Sequence, residues 1–75
     1  MNTNYTNYDD ILIATENHSA LILAGLKGRE RRESLQQRIH EVQGMAQLAR
    51  RLPYAAALVR GLRTHLEALE RQAAG

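Results

Sequence analysis

The chain has no cysteine, no phenylalanine and no tryptophan, and it has one proline and three tyrosines among 75 residues. Each absence removes a class of protein. Without cysteine there is neither a disulfide framework nor a thiolate metal site, and a reducing, cytoplasmic setting fits. With tyrosine only at 5, 8 and 54, there is no aromatic platform for single-stranded bases to stack on. The core must be aliphatic, built from Leu, Ile, Val, Ala and two Met. Long apolar runs are missing too. The patches Ile11–Ala14 and Ala20–Leu26 are split by Glu16, Asn17 and His18, and no basic stretch precedes them. Neither a membrane span nor a secretory signal is therefore expected.

A chain of this length forms one domain, residues 1–75, with a modest core whose stability alone is marginal. With disulfides and thiolate metal sites excluded, self-association or a protein partner is the expected stabiliser. The formal net charge is +2, but it is unevenly placed. Residues 1–26 carry Asp9, Asp10 and Glu16 with no Lys or Arg, whereas 27–75 carry ten basic and five acidic residues. An acidic arm on a basic body can bind an acidic surface or fold back on that body, although a solvated helix surface explains so small an excess.

Residues 1–7 are polar and read as frayed. Asn7 is a helix cap, with Asp9 and Asp10 in the first turn, where carboxylates favour the positive end of the helix dipole. This predicts a helix over residues 8–26, closed by Gly25 and Gly28. The bunched patches ILIA and ALILAGL leave two short strands as the alternative. Ser34 with Gln37 has capping-box spacing and places a second helix over 34–52, with KGRERRE adding an exposed turn. Leu35, Ile39, Val42, Ala46 and Ala49 follow a 4-3-4-3 spacing, and Ala55, Val59, Leu62, Leu66, Leu69 and Ala73 continue it after Pro53. Met45, Leu48, Leu52 and Leu58 widen the apolar face.

The predicted fold is thus all-α. It has an antiparallel helical hairpin, about 34–52 and 54–73, with an N-terminal helix, about 8–26, in a small three-helix bundle or a dimeric bundle. Pro53 belongs in the first turn of the third helix, where its missing N–H is not needed. Folding the hairpin about Pro53 brings Glu33 near Arg71, Arg38 near Glu67 and Glu70, Gly44 opposite Leu62, and Met45 opposite Gly61.

The stretch LARRLPYAAALV also resembles a bacterial helix-turn-helix, with Leu48, Ala49, Leu52 and Val59 at the pattern's apolar positions. That resemblance implies a first helix at 45–52 broken from its predecessor at Gly44. Arg60 and Arg63 would then be offered to the major groove, and Arg50 and Arg51 to the duplex. The decisive position departs from the pattern: Pro53, with φ held near −65°, stands where a left-handed glycine is required. The helix also opens with Tyr54, Ala55, Ala56 and Ala57, none of which reads a base edge well.

Nothing in the sequence announces catalysis. Asp9 and Asp10 point in different directions on a helix, and Ser19 beside His18 makes no nucleophile–base pair. His40 and His65 fall at similar heights in the hairpin, but two histidines without a third ligand read as surface residues. Arg29 with Glu33 has ordinary i,i+4 pairing. The expectation is a non-enzymatic protein-interaction module without cofactor or metal, acting as an adaptor, regulator or chaperone-type subunit. It would bind a protein partner or itself through Ile11, Leu12, Leu21, Leu23, Leu58, Leu62, Leu66 and Leu69. A DNA-binding regulator using Arg50, Arg51, Arg60 and Arg63 is the alternative. In size and hairpin shape the chain resembles the small helical co-chaperones of bacterial type III secretion and small dimeric bundle regulators, a likeness of dimensions rather than of motif.

Overall fold

A computed structural model describes residues 7–75, which form three helices: α1 Tyr8–Leu23, α2 Gly28–Ala49 and α3 Ala56–Ala74. No strand occurs among the described residues, and the bunched apolar patches are helical as far as Leu23. The expected fraying of residues 1–7 lies outside the described residues except at Asn7, which is ordered as a cap. Its side chain accepts from the amides of Asp9 at 3.0 Å and Asp10 at 3.4 Å, which are otherwise orphaned at a helix start.

The end of α1 and the start of α2 differ from the sequence reading, each for a local reason. α1 stops at Leu23 rather than Leu26. Ala24 is extended and Gly25 takes φ +76°, a left-handed turn that glycine adopts without penalty, closed by the Leu26 amide donating to the Leu23 carbonyl. α2 begins at Gly28, so Ser34 sits inside the helix and its capping box is unused. The early start has a tertiary anchor. Arg31 donates to the Leu23 carbonyl at 3.5 Å and to Gln72 Oε1 at 2.7 Å, tying the first turn of α2 to both other helices.

The bend between α2 and α3 is longer than expected. α2 runs unbroken through Gly44 to Ala49, then tightens: the Arg51 amide donates to Leu48 and the Leu52 amide to Ala49, each at 3.0 Å. Leu52, preceding proline, leaves helical geometry. Pro53 then lies in the bend and not in the first turn of α3, because Tyr54 beside it takes φ +56°. The left-handed residue that the helix-turn-helix pattern requires is therefore displaced to a fully exposed tyrosine.

The hairpin core follows the α2 seam closely: Leu35, Ile39, Val42, Ala46 and Ala49 are all buried. Along α3 and the residue that precedes it the buried line is Ala55, Leu58, Leu62 and Leu69, with Val59 and Leu66 only half-buried and Ala73 exposed. Leu48 and Leu52, expected to widen the core, face outward. The core line shifts because α1 occupies one side of the hairpin. It runs antiparallel to α2 and parallel to α3, with Tyr8 at the bend, where its hydroxyl donates to the Pro53 carbonyl at 2.9 Å, and Leu23 at the open end.

Gly61 explains how α1 comes so close. A Cβ there would collide with the Leu12 side chain, so the small residue opposes α1 and not Met45. Gly44 has no such role, since a Cβ there would meet nothing within 4 Å. We expect Gly61→Ala to destabilise the native chain, because overpacking costs ~1–3 kcal/mol against a helix-propensity gain of at most ~1 kcal/mol. In a Leu12→Ala background, where the obstruction is gone, the same change should stabilise by up to ~1 kcal/mol in urea melts. Equal signs in the two backgrounds would disprove the contact. Tyr54→Gly should raise stability by about 0.5–1 kcal/mol in the same assay by relieving the left-handed strain.

Candidate functional site

The inner face of α1 brings two polar side chains, Thr15 and Ser19, to the hairpin among Tyr8, Ile11, Leu12 and Leu23, and the outer face leaves two large aliphatic ones in solvent. Buried on α1 are Thr15, Ser19 and Leu23, whereas Ile13 and Leu21 are 52% and 75% exposed. An amphipathic helix normally keeps polar residues out of its buried face and large aliphatic ones out of solvent. The reason lies in α2, where Arg38 is only 5% exposed.

Arg38 reaches from α2 into α1. Its Nε donates to Ser19 Oγ at 2.7 Å, one terminal nitrogen donates to the Thr15 carbonyl at 3.0 Å, and the other donates to Glu41 Oε1 at 3.0 Å. A buried guanidinium is tolerable only when its N–H groups are satisfied and its charge is paired. Glu41 supplies the opposite charge and α1 supplies the acceptors. The expected contacts of Arg38 with Glu67 and Glu70 are not formed. Glu33 likewise pairs with Arg29, at 3.7 Å on the exposed surface, instead of Arg71, and such a pair contributes little.

Ser19 Oγ also shares a 2.8 Å hydrogen bond with His65 Nε2 of α3 and donates to the Thr15 carbonyl at 3.1 Å. One hydroxyl thus links all three helices. Burial pushes His65 below the ordinary histidine range; nearby Glu16 opposes this and the Arg38 charge reinforces it. A neutral imidazole can accept the Ser19 proton, whereas a protonated one must donate, sending that proton to Thr15. The Ser19–His65 pair has the atoms of a nucleophile and base but not the access. Ser19 is 2% exposed and its oxygen is already engaged by Arg38. His65 is thus not the surface residue that its spacing suggested, whereas His40 is exposed. No group of three or more His, Cys, Asp or Glu among the described residues could hold a metal ion.

The residues expected to meet a partner divide sharply. Leu23, Leu58, Leu62 and Leu69 lie in the chain's own core and cannot also line a surface. Ile11, Leu12 and Leu66 are half-buried against that core. Of the eight, only Leu21 is fully on the outside. Ile13, Ala14, Ala20 and Ala24 share its face, interrupted by Asp10 and Asn17. The sequence reading missed Ile13, although its spacing of eight residues from Leu21 marks a common face. Arg50, Arg51, Arg60 and Arg63 are exposed, but α2 does not break at Gly44 and no separate helix 45–52 exists. The first helix of a helix-turn-helix is therefore not formed. No family model, curated protein or solved structure matches this chain.

The polar junction predicts a pH response. Because the folded-state pKa of His65 lies below its unfolded value, the unfolded chain binds the extra proton more readily. The stabilisation from neutral His65 is complete above the unfolded pKa of 6.5 and declines as pH falls below it. The melting temperature should drop between about pH 7.5 and 5.5. The drop should be smaller in His65→Gln, which keeps a group able to bond Ser19. An identical pH dependence in the two proteins would remove His65 from this role.

Proposed function

We propose that this chain is a non-enzymatic helical interaction module, of the adaptor, regulator or chaperone-subunit kind, that docks on a protein surface through the outer face of α1. A single observation carries the reading: α1 is apolar on both sides. Its inner side packs Tyr8, Ile11, Leu12 and Leu23 on the hairpin, while its outer side leaves Ile13 and Leu21 in solvent, flanked by Ala14 and Ala20, with Asn17 and Asp10 on the same face. A helix that carries large aliphatic residues on two faces buries both only when it is covered on both sides. The hairpin covers one, and a partner would cover the other.

The polar junction supports the same reading. Arg38, Ser19 and His65 fix the roll of α1 about its axis, since turning Ile13 inward would strip Arg38 of its acceptors. The apolar face is thus presented on a rigid three-helix base, which reduces the ordering cost of binding.

The test is a photo-reactive amino acid placed at Leu21 and, as a control, at exposed Gln47 of α2. In cells, irradiation should yield a discrete protein adduct, either a second copy or another protein, at position 21 and not at 47. Equal or absent labelling at both positions would remove α1 as the docking surface.

A further inference from the structure

We infer that the surface covering α1 is the α1 of a second copy of this chain, laid antiparallel across it about a two-fold axis at Asn17. This rests on the reading of α1's outer face as a docking surface and names its occupant. The exposed residues Asp10, Ile13, Asn17, Ala20 and Ala24 follow one another at 3-4-3-4 spacing, flanked by Ala14 and Leu21. That is a helix-pairing seam. A two-fold axis through Asn17 sets Ile13 against Leu21 of the other copy and Ala14 against Ala20, so these four apolar residues meet apolar residues, while Ala24 meets Asp10 at each end of the contact. An isologous contact requires this self-complementarity. The alanines allow close approach, and the two Asn17 amides meet on the axis, where each can bond the other and hold the register.

Charge selects the direction. Within 8–23, α1 carries Asp9, Asp10 and Glu16 and no Lys or Arg. Parallel pairing would stack these carboxylates on their counterparts with no cation between them. Antiparallel pairing sends Asp9 and Asp10 to opposite ends of the contact. There Asp10 faces Ala24 of the other copy, where α1 ends and the chain turns toward Lys27 and the basic body. The helix dipoles then also oppose favourably.

Because the chain has no cysteine, single introduced thiols report the geometry directly. Asn17→Cys should form a disulfide-linked dimer in a glutathione buffer, and about tenfold more readily than Gln47→Cys. A mixture of Ala14→Cys and Ala20→Cys should cross-link to each other in preference to themselves. The unmodified chain should sediment as a dimer at about 100 µM, and Leu21→Asp, at an exposed site, should sediment as a monomer with unchanged helicity.

A monomeric wild type, or Ala14→Cys joining chiefly to itself, would overturn the antiparallel dimer. The photo-label at position 21 separates the two readings. If it still captures a different protein while the chain is monomeric, docking through α1 stands and self-pairing falls. If it captures nothing, both fall.

Discussion

The arrangement of this molecule depends on a guanidinium that has been taken out of water. Arg38 lies inside the three-helix junction, and once there its charge and its N–H groups must be met by the protein. Only Glu41 is available on its own helix, at 3.0 Å. The remaining partners, Ser19 Oγ and the Thr15 carbonyl, come from α1. The hairpin can leave Arg38 buried only if α1 is docked, and α1 can dock with only one side turned inward.

That requirement departs from the usual pattern of an amphipathic helix at four positions. Thr15 and Ser19 take positions that apolar residues would ordinarily fill, and Ile13 and Leu21 are displaced into solvent. Such a junction is specific rather than strongly adhesive. Buried polar contacts add modest net stability when complete and cost much more when one partner is missing. His65 makes the junction sensitive to protonation, because the hydroxyl it bonds is the same one that accepts from Arg38. A single proton therefore bears on the orientation of the face that we assign to partner binding.

At the other end of the molecule the bend is held by different means. Tyr8 bonds the Pro53 carbonyl, and Tyr54 is kept in a left-handed conformation with its ring in solvent. The strain is tolerated because the aliphatic hairpin core, from Ala49 and Ala55 to Leu58 and Leu62, fixes the chain on both sides. The same continuity carries α2 straight through Gly44, which removes the separate short helix that a helix-turn-helix would need.

Much of the architecture was legible in the residues. The heptad spacing from Leu35 to Ala49 marks the core side of α2, Asn7 marks the start of α1, and Pro53 marks the bend, because each reflects local geometry repeated along the chain. The polar junction was not legible. In a pattern reading Ser19 and His65 go to the surface and Arg38 to an ion pair with Glu67 and Glu70; their burial depends on a third helix whose roll no local spacing encodes. The same blindness placed Leu58, Leu62 and Leu69 at a partner surface when they belong to the chain's own core. The sequence by itself thus determined that there are helices, roughly where they lie and which side of α2 is apolar, since periodicity alone sets these. Which side of α1 turns inward, and so which apolar residues are left for a partner, was decided only by the tertiary structure. A buried charge must find its acceptors, and these sit 19 and 23 residues away along the chain.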